Sequence, residues 1–196
     1  VEDFARDFDK FLDDRIKAKT PGIYVLDSLD ALSDEAELKR DIGEGTYAMN
    51  KPKMLSTFFR TMARKQEKAQ VLLLIISQVR DNIGVSFGEK HKRSGGRALD
   101  FYATQVVWLT HVKTLKRTIK KVERPTGIVI KAKIKKNKIG LPFREAEFDY
   151  LHGFGIDDVK ASIDWLDTVD RLPGITKDSD QNEIKEAVKQ AWREIE

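Results

Sequence analysis

The hydrophobic positions of this chain switch repeatedly between helical spacing and short continuous runs. Apolar side chains recur every three or four residues in segments 1–19 and 52–68, which predicts two amphipathic helices. The apolar segments 23–26 and 71–76 are too short for helices and predict strands. The second run consists of leucine and β-branched residues, so we expect it to be buried on both faces of a parallel sheet. Helices alternating with such strands indicate an α/β fold.

The second half of the chain has a different pattern. Segments 104–112 and 146–151 predict strands, and the latter is expected to close a meander at the sheet edge. Segment 127–138 alternates isoleucine or alanine with lysine, which predicts one apolar and one basic face. A basic turn is expected at 113–124 and a helix from Gly155. The polar segment 168–181 predicts a linker before an amphipathic helix at 182–195.

Composition excludes several classes of protein. With 40% hydrophobic and 35% charged residues, the 196-residue chain is expected to fold into a globular domain. It has no cysteine, which excludes disulfides and thiol nucleophiles and agrees with a reducing cytoplasm. Its three histidines are far apart, so a spaced histidine metal motif is absent. No apolar run approaches membrane-spanning length, and we expect no membrane partner and a cytoplasmic location.

Two polar side chains follow the predicted strands. Asp27 ends the first strand, and Gln78 lies two residues beyond the second. Ligands of open α/β sheets bind at the carboxyl ends of strands, and P-loop ATPases hold Mg²⁺ there through an aspartate. A glutamine beside it is suited to sensing a γ-phosphate. Each residue also has an ordinary explanation, because an aspartate can cap the next helix and a glutamine can be a polar strand end.

Two other groups of residues are suited to phosphates. Lys53, Ser56 and Arg60 share the polar face of the helix at 52–68, and the pair Gly95-Gly96 adds backbone N–H donors. Lys136 and Lys138 flank an asparagine and project to one side of a strand end, where two cations suit a triphosphate. The alternatives are a solvated helix face and an exposed basic strand end. No Gly-Lys pair occurs in the chain, so the motif G-x-x-x-x-G-K-[ST] is missing from it.

Five segments of the chain form an ordered series of motifs: YVLDSLDAL at 24–32, AELKRDIGEG at 36–45, SQVRDNIGVSFG at 77–88, SGGRALDFYA at 94–103 and KKNKIGLPFREAEFDYLHGFGI at 135–156. Each segment alone is short, but taken in order they resemble the RecA family of recombinases, in its bacterial or bacteriophage branch. The resemblance covers residues 1–166.

The resemblance implies a fold, cofactors and partners. The fold is a RecA-like P-loop ATPase core at 1–167, with a mostly parallel sheet, antiparallel edge strands and flanking helices. A linker and a C-terminal helix follow at 168–196. The cofactors implied are ATP and Mg²⁺. The partners are single-stranded DNA, double-stranded DNA and further subunits of a homo-oligomeric filament, which performs strand exchange in recombination, DNA repair and the SOS response.

The resemblance also assigns roles by position. Asp27 resembles the Mg²⁺-associated aspartate, with Ser28 beside it, and Gln78 resembles the glutamine that couples the γ-phosphate to a DNA loop. Lys136 and Lys138 resemble the pair that reaches the adjacent subunit's ATP, and His152 stands near the adenine, where the family often has tyrosine. The remaining implied residues are the DNA contacts Lys53, Ser56, Arg60, Arg80, Arg93, Gly95 and Gly96, the interface residue Phe101, and two DNA loops at 41–47 and 80–93.

The family's N-terminal helix, P-loop and catalytic-glutamate strand precede the first matching residue. We therefore expect an N-terminally truncated core that does not hydrolyse ATP by itself. The favoured function is that of the central and C-terminal part of a DNA-dependent ATPase and recombinase. The alternative is a non-catalytic DNA-binding or filament-modulating paralogue. A RecA-fold helicase or its loader is disfavoured by Gly95-Gly96 and by the Lys-Asn-Lys strand end.

Overall fold

The computed structural model describes residues 1–39, 50–81, 91–93, 98–171 and 174–195. It divides the chain into two compact units, Val1–Ala103 and Thr104–Glu196. The described helices are α1 (Glu2–Ala18), α2 (Glu35–Leu38), α3 (Asn50–Ala69), α4 (Ala98–Tyr102), α5 (Asp158–Thr168) and α6 (Gln181–Ile195), with a 3₁₀ turn at Leu29–Ala31. The described strands are β1 (Gly22–Asp27), β2 (Val71–Ile76), β3 (Val79–Asp81), β4 (His91–Arg93), β5 (Gln105–Ile119), β6 (Val122–Asn137), β7 (Glu145–Leu151) and β8 (Gly155–Ile156).

The first unit is built on an aromatic core between α1, α3 and the β1–β2 pair. Phe8 and Leu12 of α1 and Leu55 of α3 are completely buried, as the predicted apolar stripes require. The rings of Phe4 and Phe58 lie 4.9 Å apart, and those of Phe8 and Tyr24 lie 5.1 Å apart at 79°. The Tyr24 hydroxyl donates to Asp7 Oδ2 at 2.6 Å, so the one polar atom of this ring is satisfied.

Strands β1 and β2 pair in parallel, with Gly22 opposite Val71 and Asp27 opposite Ile76. One face of this pair packs against the aromatic core. The other face is exposed in the described structure, so the expected burial of Val71–Ile76 on both faces is not found. The reason is that α1 and α3 cover one side of the pair, and no described element of the first unit covers the other. The exposed apolar residues of that face are Ile23, Val25, Leu72, Leu74 and Ile76.

The second unit contains a four-stranded antiparallel sheet in the order β5-β6-β7-β8. The basic segment expected to be a turn is in fact the distal part of a long hairpin formed by β5 and β6. Only Lys120 and Lys121 form the turn, and both have positive φ, 50° and 67°. Two such residues make the twist that a two-residue hairpin needs, so the cations around them extend as strands.

The core of the second unit lies on the opposite side of β6 from the one expected. Val129 is buried, whereas Ile128 and Ile130 are half-buried, because α5 packs on the sheet from the side of β7. Helix α5 begins at Asp158, not at Gly155, because Asp157 caps it by accepting from the Lys160 backbone N–H at 3.0 Å. Helix α6 packs against α5 through Trp192, whose ring stacks on Trp165 at 4.8 Å.

The mixed α/β class is therefore confirmed. The mostly parallel sheet and the P-loop core are not confirmed, since the described residues contain one parallel strand pair, an antiparallel pair and an antiparallel sheet. The expected DNA loop at 41–47 and most of the one at 80–93 lie outside the described residues, as do Gly95 and Gly96.

Candidate functional site

Asp27 and Gln78 lie at the same edge of the parallel strand pair. Asp27 is the last residue of β1 and stands opposite Ile76, the last residue of β2. Two residues further on, the Gln78 backbone N–H donates to Asp30 Oδ2 at 2.7 Å. The chain after β1 is thus tied to the chain after β2, and both polar side chains are brought to the carboxyl ends of the strands.

The side chains of Asp27 and Gln78 have no structural task in the described part of the chain. Both are exposed, and neither forms a side-chain hydrogen bond or ion pair there. The ordinary explanation for Asp27 was a helix cap, but the following 3₁₀ turn has Ser28 at its cap position and no side-chain cap bond. A carboxylate and an amide at this edge therefore remain available to a ligand. The Asp27–Ser28 peptide is cis.

The adjacent Ser77 adds a further polar atom. Its hydroxyl oxygen is buried and has no hydrogen-bond partner within the described residues. Buried hydroxyls normally have a partner, so the Ser77 hydroxyl is a further polar group at this strand end whose hydrogen-bonding capacity is unused within the described residues. Sequence reasoning assigned no role to Ser77 or to Asp30, although the pattern D-S-L-D after β1 offered a second acid.

The oxygen ligands at this edge suit Mg²⁺ better than a metal ion that is bound entirely by protein side chains. The described residues contain no group of three or more histidine or acidic side chains arranged to hold an ion. Mg²⁺ keeps several waters and binds proteins through one or two carboxylates, with phosphate oxygens completing its shell. Asp27 is consistent with that mode, and the described residues do not form a complete metal site.

The polar face of α3 has the predicted arrangement. Lys53 and Arg60 are exposed, and Ser56 is half-buried between them at helical spacing. In the described structure Lys53 and Arg60 have no ion pair. Their neighbour Lys65, on another part of the helix, is by contrast held by Asp9 at 2.5 Å and Asp13 at 2.9 Å. The helix thus neutralises the cation that faces α1 and leaves these two without a counter-ion.

Arg80 lies in β3, which pairs in antiparallel fashion with β4, and it stands opposite Lys92. Arg80 is exposed. Arg93 is the last residue of β4 and stands opposite Val79; its side chain lies outside the described part. The two strands nonetheless show that the segment following Gln78 begins as a hairpin.

In the second unit, Lys136 and Lys138 lie at the end of β6. The pairing with β5 shifts by one residue between Val106 and Val107, whose partners are Lys136 and Ile134. This irregular step lies at Lys135, before both lysines, so their projection to one side of the strand end stays a prediction. Lys138 is exposed, and its backbone N–H donates to the Thr104 carbonyl at 3.0 Å.

His152 and Phe101 are both exposed, in different units. His152 directly follows β7, its backbone N–H donates to Thr126 at 2.9 Å, and its ring approaches Tyr150 edge-on at 6.4 Å. Phe101, in α4, is 71% exposed although it is a large apolar ring. That exposure is compatible with a protein contact.

The lysines on β6 are balanced by acids where β7 runs alongside. Lys131 contacts Glu145 at 2.5 Å, and Lys133 also contacts this carboxylate. Hydrogen bonds from the two ammonium groups lower the pKa of Glu145 to about 2. Lys131 and Lys133 are therefore engaged in internal ion pairs.

The chain thus has an α/β fold with exposed polar side chains at the strand ends, where ligands of open α/β sheets bind. Comparison with known sequences identifies the family. The family described as the RecA N-terminal domain matches residues 8–157. Protein RecA of Synechocystis sp. is 34% identical over 155 residues, which is 79% of this chain and 43% of the relative. Protein RecA of Tropheryma whipplei is 34% identical over 164 residues, which is 84% of this chain and 36% of the relative.

The chain belongs to the RecA family, as its ordered motifs predicted. It spans less than half the length of these relatives. None of the described helices is long and apolar enough to cross a membrane.

Proposed function

We propose that this chain is part of an ATP-dependent recombinase that assembles as a filament on single-stranded DNA and exchanges strands with a homologous duplex. Its family membership supports a role in recombination and repair. The observation that carries the proposal further is the pair of polar side chains, Asp27 and Gln78, at one strand edge without partners among the described residues. Such an edge is where α/β proteins bind nucleotides.

The nucleotide part of the proposal assigns a task to each strand-end residue. Asp27, with Ser28 beside it, would hold Mg²⁺ through water, and Gln78 would contact the γ-phosphate. ATP supplies a phosphate chain whose hydrolysis can change the state of a loop. Gln78 begins the segment that enters the β3–β4 hairpin, so a contact at its side chain has a covalent route to the proposed DNA loop.

Lys136, Lys138 and His152 would act on a neighbouring subunit's ATP, the lysines on the phosphates and the histidine near the adenine. Phe101 would lie in the same subunit interface. These assignments rest on the match to family motifs and on the exposure of Lys138, His152 and Phe101.

The DNA part of the proposal places the strand's backbone on the polar face of α3 and on the segment after β2. Lys53 and Arg60 would contact phosphates, Ser56 would donate a hydroxyl, and Arg80 and Arg93 would add charge. Gly95 and Gly96 would supply backbone N–H groups. None of these groups reads base edges, so binding should not depend on sequence.

Binding of a labelled single-stranded oligonucleotide across a salt series tests the DNA part. We expect affinity to fall steeply with salt, by a slope of roughly 0.7 per phosphate neutralised. Arg60→Ala should weaken binding to all sequences alike. It should also reduce the magnitude of the salt slope by the amount expected for one lost phosphate contact, roughly 0.7. Arg193→Ala on α6 removes the same charge elsewhere and is the control. A flat salt response, or a loss confined to certain sequences, would contradict the backbone role.

The nucleotide part is tested in a protein that also contains the family's phosphate-binding loop. Lys136→Ala and Lys138→Ala should abolish ATP turnover while leaving the circular dichroism spectrum unchanged. Normal turnover in either variant would remove that lysine from the proposal.

A further inference from the structure

The Asp30 carboxylate joins two segments that are far apart in the sequence. Its Oδ2 atom accepts from the Gln78 backbone N–H at 2.7 Å, across a separation of 48 residues. The pairing between β1 and β2 ends at Asp27 and Ile76, so Gln78 lies beyond the last backbone pairing of these two strands. At Gln78 the side chain of Asp30 therefore takes the place of a strand acceptor.

The turn that carries Asp30 is anchored on both sides of this residue. Leu29, directly before it, is completely buried in the aromatic core of the first unit. The carbonyl of Leu32, two residues after it, accepts from the Lys51 ammonium of α3. A side chain on a turn held in this way starts from a defined position, so its carboxylate can fix another segment.

The segment that Asp30 holds lies between two strands and belongs to neither. Gln78 is exposed, and β3 begins at the next residue, Val79. Water can satisfy an exposed backbone N–H as well as a protein acceptor can. What a carboxylate on an anchored turn adds is a fixed direction for the Gln78 backbone, and with it a fixed origin for the Gln78 side chain.

The two acids of the sequence D-S-L-D have different surroundings. Asp27 is exposed, and its side chain has no partner in the described part of the chain, which suits a ligand of Mg²⁺. Asp30 is half-buried, and a backbone N–H engages its carboxylate. That N–H requires only an oxygen acceptor, which an asparagine side chain also supplies. The role of the Asp30 oxygen can therefore be separated from that of its charge.

We propose that Asp30 is a positioning residue for the γ-phosphate sensor, which holds the Gln78 backbone so that its side chain reaches the phosphate in one arrangement of the following hairpin. A loosely held glutamine would reach the phosphate in any arrangement. The nucleotide would then favour none of them, because a ligand shifts an equilibrium only by its differential affinity.

The inference rests on the proposed function, in which Gln78 contacts the γ-phosphate. It adds a residue to which neither the sequence motifs nor that proposal assigns a role. Arg80, a proposed DNA contact, follows Gln78 by two residues, which is roughly 7 Å along an extended chain. The point that Asp30 fixes therefore lies close to both proposed ligands.

The bond itself is tested in the complete chain by following the Gln78 amide signal in ¹⁵N–¹H NMR spectra. In Asp30→Ala the proton signal should move upfield, and the amide should exchange roughly 10-fold faster, as expected for the loss of one hydrogen bond to a charged group. Asp30→Asn should retain most of the protection. An unchanged Gln78 signal in Asp30→Ala would overturn the proposal.

The role is tested in a protein that also contains the family's phosphate-binding loop. Affinity for a labelled single strand is measured without nucleotide and with a non-hydrolysable ATP analogue, and the ratio of the two affinities reports the coupling between the sites. This ratio should be about 5-fold or more in the parent and within about two-fold of unity in Asp30→Ala. Affinity without nucleotide should be the same in both proteins.

Two further variants separate the explanations. Asp30→Asn should keep at least about half of the parent's ratio, since it keeps the acceptor. Asp167→Ala removes an exposed acid from α5 in the second unit and should match the parent. An Asp30→Asn protein as impaired as Asp30→Ala would overturn the proposal, because negative charge, as in a metal ligand, would then be what matters.

Equal coupling in the parent and in Asp30→Ala would also overturn it. A parent whose affinity for the single strand does not respond to nucleotide would instead refute the proposed function, and this inference with it. The two failures are therefore distinguishable.

A double-mutant cycle tests whether Asp30 acts through Gln78. In a Gln78→Ala background, Asp30→Ala should change the coupling ratio by less than about two-fold, since residues that act as a unit are not additive. A full additional loss would refute the positioning role. If Asp30→Ala does not fold, Asp30→Glu replaces it, because one added methylene displaces the acceptor while keeping the charge. Coupling retained in Asp30→Glu would refute the proposal.

Discussion

The two units of this chain expose opposite kinds of surface. The β1–β2 pair of the first unit presents a row of apolar side chains, of which Ile23 is 65% and Leu72 59% exposed. The exposed end of the β5–β6 hairpin in the second unit, residues 116–126, presents cations. An exposed apolar face of this kind lowers its free energy by contact with protein, whereas unpaired cations do so by contact with a polyanion. One surface is therefore suited to contact with apolar groups and the other to contact with anions.

The cores differ as well. The first unit is held by interlocking aromatic rings from two helices and a strand. The second has a smaller aliphatic core, in which Leu166 is completely buried, and it relies on a stacked tryptophan pair to attach α6. All three tryptophans, at 108, 165 and 192, lie in the second unit. Tryptophan fluorescence therefore follows that unit alone, which makes the comparison testable.

The largest expected effect is that of Phe8→Ala. Phe8 is completely buried and touches the rings of Phe4, Tyr24 and Phe58. Its truncation should lower the free energy of unfolding of the first unit by about 3–5 kcal/mol. In a urea titration the circular dichroism midpoint should fall well below that of tryptophan fluorescence.

Two controls sharpen this result. Phe154→Ala removes a ring that is 77% exposed and should change stability by less than about 0.5 kcal/mol. Leu166→Ala should reverse the pattern by lowering the fluorescence midpoint first. If Phe8→Ala moved both signals together, the two units would be one cooperative unit and the comparison would fail.

A smaller effect is expected for Trp192→Ala. The ring of Trp192 lies 4.8 Å from that of Trp165, at 14°, and the Arg144 guanidinium lies 4.1 Å from its centroid. Stacking and cation–π contact together suggest a loss of about 1–3 kcal/mol, confined to the docking of α6. Faster amide exchange in 181–195 with an unchanged sheet is the expected outcome, and Trp192→Phe should restore most of the protection. Exchange that rises equally throughout the unit would contradict local docking.

The smallest effect concerns pH. Hydrogen bonds from Lys131 and Lys133 lower the pKa of Glu145 to about 2 from an ordinary 4.5. A lowered pKa means that the carboxylate stabilises the fold above its unfolded pKa, and that this contribution is lost as pH falls from about 4.5 towards 2. The denaturation midpoint should therefore decline with acid in this window less steeply in Glu145→Gln than in the parent. Glu147→Gln is a neighbouring control, and identical slopes in parent and Glu145→Gln would refute the ion-pair contribution.

How far the sequence predicted the structure varied by element. The bounds of β2 were predicted to the residue and those of α1 and α3 to within two, because burial against one core imposes a strong period. The basic segment 113–124 was assigned wrongly as a turn, because lysine and arginine carry little strand preference and the pairing partner fixes the conformation. The expectation that the isoleucine face of β6 is the buried one was also wrong, because the sequence does not show on which face of the sheet α5 packs.

The candidate site divides in the same way. Its residue types and their position after strands were visible in the sequence, as was the family to which they belong. That the side chains of Asp27 and Gln78 have no partner in the described structure, and that Asp30 ties the two strand ends together, required coordinates. Spacing along a chain does not show which acidic side chains already form a hydrogen bond or an ion pair with another residue.

The sequence by itself determined the helix stripes, the two parallel strands, the family and the local excess of cations at 113–124, since these follow from residue type and period. Tertiary structure alone decided which cations are neutralised. Glu145 lies close to Lys131 and Lys133 because β7 pairs with β6. Arg117 and Arg124, by contrast, oppose each other in the part of the β5–β6 hairpin that extends beyond β7. Charge pairing depends on distances between distant segments, and only the folded chain sets those distances.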